Sequence, residues 1–503
     1  MADNIEFFSV LIVSLIGLVS SVAIERLMIP RPSLSRHWSA WALHSGIWLL
    51  FYALFVLLLS RPWFSATAVL AFFLMLVLVN NAKFHSLREP FVWQDFDYFT
   101  DAIKYPRLYI PFLGWGKFFL AATGFATAVT IGLFLEAAAQ SRFEWHGELG
   151  GIVVLLLVSL ILLILGQSKE QNLFFDPKRD VVAMGLLPFL WSYAKESKNF
   201  PSSDSPLSSI NLQQTDDKPL PNIIAVQSES FFDPRELFFG IKNDVLAEFD
   251  KLKADAISYG KLKVPAWGAN TVRSEFAFLS ALDEQQLGVH RFNPYHAVVK
   301  GWEVESLASF LKNNGYRTIA IHPYVATFYQ RNHVYPKMGF DEFLDRDAFC
   351  ETDYFGPYIS DLAVAQKIKE VLQKSEQPVF IFAITMENHG PLHLEKVLEE
   401  DIAKLYTTPP PNGCDDLTIY LRHLCNADKM IASLHETLQL CEYPTKLCWF
   451  GDHVPIMPKV YQLFGAPKGE VDYLLWSNKR ASEPTRHDLS ISDLAAAILT
   501  EKN

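Results

Sequence analysis

The 503-residue chain is half hydrophobic and has a slightly positive mean hydropathy. This is too apolar for an ordinary soluble enzyme and too polar for a protein built only of membrane helices. A formal net charge of −11 with no basic tract argues against nucleic acid as a partner.

Five runs are long enough to cross a bilayer: Phe7 to Ile24, Trp41 to Leu59, Trp63 to Val79, Phe118 to Leu135 and Leu149 to Gly166. A spanning helix needs about 17–25 apolar residues. Buried core helices would carry a polar face, which these runs lack. "MADNIE" supplies no basic segment ahead of the first run and no small-residue cleavage site follows it, so that run reads as a retained anchor. Between the third and fourth runs, "NAKFHSLREPFVWQDFDYFTDAIKYPRLYIP" is aromatic and charged, a composition suited to the membrane interface. Val181 to Ser197 predicts a second interfacial helix, interrupted by Pro188. Arg26, Arg31 and Arg36 follow the first run and Lys83, Arg88, Lys104 and Arg107 the third, with Arg61 and Arg142 on the other side. The positive-inside rule puts the first group in the cytoplasm and, with five spans, everything after them as well.

From Phe200 the composition changes to "FPSSDSPLSSINLQQTDDKPLPN", which is that of a linker. Beyond it, apolar strands "NIIAVQ", "RTIAIHP", "VFIFAITM" and "KLCWFGD" alternate with helical periods in "EVESLASFLKNNG", "DLAVAQKIKEVLQKS", "LRHLCNADKMIASLHETLQ" and "ISDLAAAILTE". This order predicts an α/β domain with a mostly parallel sheet covered by helices on both faces. The organisation expected is a five-helix transmembrane bundle over residues 1–170, a juxtamembrane helix and linker over 171–219, and a catalytic domain over 220–503. All five cysteines, Cys350, Cys414, Cys425, Cys441 and Cys448, lie in that last segment. An oxidising compartment would permit disulfides there, the odd number leaves at least one thiol unpaired, and the spacing matches no zinc motif. Cys425 and Cys448 fall on predicted core faces, where packing accounts for them.

In such sheets chemistry gathers beyond the carboxyl ends of the strands. "NIIAVQSES" ends on Glu229, "RTIAIHP" on His322, "VFIFAITMENHG" on Glu387, Asn388 and His389, and "KLCWFGDH" on Asp452 and His453. Glu229, Asp452 and His453 are oxygen and nitrogen donors suited to Mn, Mg or Zn, with no thiolate among them. A metal with an open position can activate a nucleophile and neutralise a transferring phosphoryl group. "VPAWGANTVRSEFAFLSAL" offers Thr271, with Asn270 and Ser274, at a predicted helix start, where backbone N–H groups favour an anion. A Thr at that position is also an ordinary N-cap.

"NIIAVQSESF", "GANTVRSEF", "GYRTIAIHPYVATFYQRNHVYPKMGFDEF", "ITMENHGP" and "FGDH" resemble, in order and spacing, the lipoteichoic acid synthase-like phosphoglycerol transferases of the sulfatase and alkaline phosphatase superfamily. The five-helix anchor and "LREPFVWQDFDYF" are similar too. The resemblance implies Glu229, Thr271, Asp452 and His453 as metal ligands, Mn as the usual ion, and Thr271 as nucleophile. It implies that Arg331 and His389 contact the phosphoglycerol group with His322 nearby, a guanidinium being able to hold two phosphate oxygens at once. His389 is also the candidate for proton transfer. Tyr329 stands where the Gram-positive enzymes carry Trp beside the glycerol, and Gln330 replaces an Asn.

The reaction implied is transfer of glycerol phosphate from phosphatidylglycerol to a cell-envelope glycan or polymer hydroxyl through a phosphothreonine intermediate. It implies a multi-pass protein of the bacterial inner membrane with its catalytic domain outside, opposite to the positive-inside count. A phosphoethanolamine transferase or a sulfatase-type hydrolase on the same fold is the enzyme alternative, and a degenerate envelope-assembly scaffold the non-enzyme one.

Overall fold

The computed structural model describes residues 2–104, 142–168, 173–202, 204–210, 219–479 and 483–500, with scattered positions between 116 and 136. The chain divides into two compact units, Met1–Asn199 and Phe200–Asn503.

In the first unit, four helical spans among the described residues are long and apolar enough to cross a membrane: Phe7–Glu25, Trp38–Leu59, Pro62–Leu87 and His146–Gln167. The expected run from Phe118 to Leu135 falls largely outside the described residues. Close packing rests on small residues. A Cβ on Gly46 would stand 3.0 Å from the Leu163 side chain, and one on Gly166 only 2.7 Å from Leu43, so the two helices approach at positions where only glycine fits. Buried polar side chains bond to neighbouring backbone, Trp48 Nε1 to the Ser14 carbonyl at 3.1 Å and Tyr52 Oη to that of Val10 at 3.2 Å, as an apolar surrounding requires. The expected interfacial helix is two helices, Pro177–Met184 and Leu186–Glu196, broken at Gly185 with φ 84°. Pro188 does not interrupt it, because it sits in the first turn of the second helix, where its missing N–H has no intrahelical partner to lose. Glu25, buried at the end of the first span, pairs with Arg36 and accepts the Leu186 N–H at 2.6 Å.

The second unit is built on a twisted sheet. Its strands in chain order are β1 (Asn222–Ser228), β2 (Ser258–Lys263), β3 (Arg317–Ile321), β4 (Glu342–Leu344), β7 (Val379–Ile384), β8 (Thr445–Gly451), β9 (Val471–Ser477), and the short β10 (Thr485–Arg486) and β11 (Leu489–Ser490). The short β5 (Tyr354–Phe355) and β6 (Tyr358–Ile359) form a separate hairpin. The main sheet runs β10-β2-β9-β8-β1-β7-β3-β4, with β11 also on β2. Strands β8, β1, β7, β3 and β4 pair in parallel, and β9 alone runs against its neighbours. The four expected strands are β1, β3, β7 and β8, and the sheet is mostly parallel as the alternating pattern required.

Helices pack on the sheet because its central strands are apolar on both faces; every residue of β7 is buried. Helix Asp361–Lys374 starts on Ser360, whose hydroxyl accepts the Ala363 N–H at 3.2 Å. The 25-residue helix Asp415–Gln439 places Leu417, Leu421, Leu424, Ile431 and Leu438 on its buried face. Helix Thr271–Ser280 is buried along its whole length. Phe278 anchors it, its ring 4.8 Å from Phe450 of β8 and 5.7 Å from Phe382 of β7, contacts of about 0.5–1.5 kcal/mol each beyond area burial. From β1 the chain passes first to β2 on one side of the sheet and then to β3 on the other. The crevice beyond the carboxyl end of β1 is therefore the place where an α/β sheet holds ligands.

Candidate active site

Glu229 follows β1 directly, and the chain then turns through Ser230 at φ 54°, a left-handed conformation costly for a residue with a Cβ. The turn is held from three directions: the Ser230 N–H donates to Asp452 Oδ1 at 2.8 Å, its hydroxyl to Glu229 Oε1 at 2.8 Å, and its carbonyl accepts from Tyr420 Oη at 2.9 Å. On the neighbouring strand, β8 ends at Gly451, where a Cβ would stand 2.0 Å from the Phe231 carbonyl oxygen. Only glycine admits that approach, which brings Asp452 and His453 against the β1 turn.

The ligand-capable atoms of Glu229, Asp452 and His453 all lie within 4.8 Å of one another, and all three residues are buried. His453 Nε2 is 3.3 Å from Asp452 Oδ2 and 3.6 Å from Glu229 Oε1. Asp452 Oδ1 accepts the backbone N–H groups of Ser230 and His453, while Oδ2 is buried with no hydrogen-bond donor. Burial first, and the neighbouring Asp452 next, push the Glu229 carboxyl up to about 8 against the pull of His453, the Ser230 hydroxyl and Arg331. Two carboxylates and an imidazole closing on one point, with an oxygen left unmet, are the donor set a hard or borderline divalent cation takes.

Thr271 opens its helix after Asn270, which is left-handed at φ 68°. The helix is tied to the carboxyl end of β8 by Ser274, whose hydroxyl donates to the Asp452 carbonyl at 2.6 Å. Thr271 is thus the first residue of a helix whose fourth residue is bonded to the segment that carries Asp452 and His453. Among the described residues the compact acid and imidazole cluster consists of Glu229, Asp452 and His453.

Arg331 is buried at the start of helix Arg331–Lys337, with Tyr329 and Gln330 left-handed just before it at φ 55° and 58°. Its Nη2 donates to Glu275 Oε2 at 2.7 Å and its Nε to Oε1 at 3.1 Å, while Nη1 has no partner. The Tyr329 ring lies 5.2 Å from its guanidinium carbon. His322, beyond β3, is wholly buried, and burial together with the Arg331 charge holds its imidazole well below the usual range, so it is neutral. His389, beyond β7, is lowered by burial against the opposing pull of the Gly390 carbonyl, 2.6 Å from its Nδ1, and of Asp452. Asn388 beside it is buried with neither end of its amide hydrogen-bonded.

Glu387, expected at the same edge, is engaged elsewhere. It accepts the Asp361 N–H at 2.8 Å and Asn426 Nδ2 at 2.6 Å, and sits 3.3 Å from His423 Nδ1. The five cysteines are all free. Glu275, Ser230, Tyr295 and Tyr335 are site-building residues that sequence reasoning missed. The only signal for Glu275 is an acid one helical turn after Thr271 in "GANTVRSEF", which by itself reads as a solvent-facing helix position.

The family model for sulfatases matches residues 221–500. The chain belongs to the sulfatase family. It is 27% identical over 441 residues to the capsular polysaccharide biosynthesis protein RkpI of Rhizobium meliloti, an alignment covering 82% of this chain and 77% of the relative. Its fold is similar over 99% of its length to 94% of lipooligosaccharide phosphoethanolamine transferase A from Neisseria meningitidis, with a TM-score of 0.56 at 12% identity. Streptococcus pyogenes phosphoglycerol transferase GacH, solved with sn-glycerol-1-phosphate, matches with a TM-score of 0.49 and 23% identity over 62% of this chain and 78% of its own. This sulfatase-family enzyme therefore combines an N-terminal unit of apolar helices with a catalytic-type α/β unit. Enzymes of the sulfatase and alkaline phosphatase superfamily use a divalent metal, and the oxygen and nitrogen donors of Glu229, Asp452 and His453 suit one.

Proposed function

We propose that the chain is a membrane-anchored phosphoglycerol transferase, in which Thr271 attacks the phosphorus of phosphatidylglycerol. The new Thr271 Oγ–P bond forms as the bond from phosphorus to the diacylglycerol oxygen breaks, and diacylglycerol leaves with a proton. An acceptor hydroxyl then attacks the same phosphorus, giving up its proton and restoring the Thr271 hydroxyl. A divalent cation held by Glu229, Asp452 and His453, with Thr271 as fourth ligand, would supply charge neutralisation and a more acidic hydroxyl; Mn is the ion we favour.

The observation that carries this reading is the convergence of that donor set with a helix opening on Thr271, which Ser274 bonds to the Asp452 segment. The protein's own residues do the rest. Arg331 Nη1 binds a non-bridging phosphate oxygen, and neutral His322 adds a hydrogen bond without a second full charge. His389, also kept neutral by burial, carries the proton between the leaving and entering hydroxyls. Tyr329, against the Arg331 guanidinium, lines the head-group end.

RkpI is named for capsular polysaccharide biosynthesis, and this supports an envelope glycan as acceptor, with the catalytic unit on the outer side of the inner membrane. The fold likeness to a phosphoethanolamine transferase makes phosphatidylethanolamine the competing donor. The test is diacylglycerol release from fluorescent phosphatidylglycerol and phosphatidylethanolamine by the detergent-solubilised full chain with Mn, beside Thr271→Ala. Thr271-dependent release from phosphatidylglycerol is expected. Release from phosphatidylethanolamine alone would replace the donor, and undiminished function of Thr271→Ala in cells would return the protein to a scaffold.

A further inference from the structure

Glu275 takes no part in the donor set, yet it is fully buried and receives more hydrogen bonds than any ordinary core acid needs. Arg331 donates to it through Nε and Nη2. The phenol hydroxyls of Tyr295 and Tyr335 both donate to Oε1. The three donors come from two stretches of chain, Tyr295 from helix Pro294–Val299 and Arg331 and Tyr335 from helix Arg331–Lys337, where they are one turn apart. Glu275 in turn lies one turn after Thr271 on helix Thr271–Ser280. One carboxylate therefore fixes the orientation of a guanidinium relative to the helix that opens on Thr271.

Resting on the reading above, we infer that Glu275 is a positioning residue: it clamps Arg331 through Nε and Nη2 and leaves Nη1 to meet a non-bridging oxygen of the substrate phosphate. Four observations carry this. A pair serving only to neutralise charge would leave no donor over, yet Nη1 is buried without a partner, a state costly to maintain unless a ligand relieves it. The helix that carries Glu275 is bonded through the Ser274 hydroxyl to the Asp452 carbonyl at 2.6 Å, so the guanidinium it clamps is held by the element that is tied to the end of β8. The left-handed Tyr329 and Gln330 immediately before Arg331 are strained, as segments shaped for ligand contact are. Finally, both phenols are held well above their usual range by burial and by Glu275, so they stay protonated donors at any working pH. The fork geometry also explains why this position carries Arg. A lysine ammonium cannot hold a carboxylate through two nitrogens and present a third.

The test uses the full-length detergent-solubilised protein loaded with Mn, with inorganic phosphate as probe in calorimetric titrations and phosphatidylglycerol as substrate. Glu275→Gln, Arg331→Lys and the double variant form a cycle. Glu275→Gln is expected to weaken phosphate binding at least tenfold and to lower kcat at least tenfold with KM within threefold. In the Arg331→Lys background the same substitution is expected to change phosphate affinity by less than twofold. Equal losses in both backgrounds, a folded Glu275→Gln protein that binds phosphate within twofold of wild type, or a wild type that does not bind phosphate would each overturn the proposal. Should Glu275→Gln not fold, Tyr335→Phe replaces it in the cycle with the same expectation and the same refuting outcomes. A wild type that cleaves no glycerophospholipid would defeat the proposed reaction, while the phosphate cycle would still decide the role of Glu275.

Discussion

In the metal-free protein, Glu229→Gln should turn from a near-neutral or harmful substitution at pH 5 into a stabilising one at pH 8. Glu229 is buried beside Asp452, and its carboxyl is raised from an ordinary 4.5 to about 8. A carboxyl raised in the folded state binds its proton more tightly there than in the unfolded chain. The stability this gives is complete below pH 4.5 and is lost as pH climbs through 8. At about 1.4 kcal/mol per pH unit, the span amounts to ~5 kcal/mol. For a domain of this size that is a shift in melting temperature on the order of 10 °C. Glutamine does not titrate, so the difference between variant and wild type should tilt by that amount. His423, raised to about 9 by Glu387 and Glu395 against its burial, tilts the absolute stability the same way. His322 and His389, lowered mainly by burial, tilt it the other way. Being common to both proteins, these contributions largely cancel in the difference. The assay is differential scanning fluorimetry of the full chain in detergent and chelator from pH 4.5 to 8.5. Saturating Mn should reverse the wild-type trend, since a cation competes with the proton for the carboxylate and binds better as pH rises. A difference between variant and wild type that stays flat over this range, or tilts the opposite way, would refute the argument that Glu229 is a buried, metal-ready carboxylate.

Asn388→Leu should leave the melting temperature unchanged or higher, because neither end of the buried amide is hydrogen-bonded, while lowering lipid turnover at least tenfold if that unmet amide meets the substrate; full turnover would show that it does not. Ser274→Ala should cost about 1–3 kcal/mol by orphaning the Asp452 carbonyl that its hydroxyl meets at 2.6 Å. It should also weaken Mn binding by roughly tenfold, read by calorimetry, and unchanged Mn affinity would show that the helix does not support the ligand segment. Arg331→Lys should stay folded at assay temperature but melt a few degrees lower, since one ammonium replaces a fork bonded to both Glu275 oxygens; a melting temperature equal to wild type would mean that the pair contributes nothing to stability.

The parts of the fold legible in the sequence are those whose environment is uniform. β1, β3, β7 and β8 are buried on both faces and read as unbroken apolar runs. β2 alternates between buried and half-buried positions and carries Gly260 and two lysines, so "SYGKLK" gives no such signal. The metal-type residues were legible because they are tied to strand ends, a position the chain order reveals. Glu275 was not, because an acid within a helix normally reads as its wet face, and its partner Arg331 lies 56 residues away. Nor does Ser230 advertise itself. Its role depends on a left-handed backbone that serine rarely adopts and that Asp452, 222 residues further on, helps to hold. Pro188 shows the converse error, a residue type read as a breaker whose position in the first helical turn makes it harmless.

The same Ser230 to Asp452 bond has a consequence for biosynthesis. The two halves of the proposed cation site are contributed by chain segments made far apart in time, and pairing of β1 with β8 must wait for nearly the entire unit to be synthesised. A nascent or truncated chain ending before Asp452 possesses Glu229 and Thr271 but has no closed cage for an ion. On the proposed ligand set, capture of metal is then a late event that reports completed assembly, and slow non-local strand pairing sets the interval during which this half-made unit depends on its surroundings to stay out of aggregates.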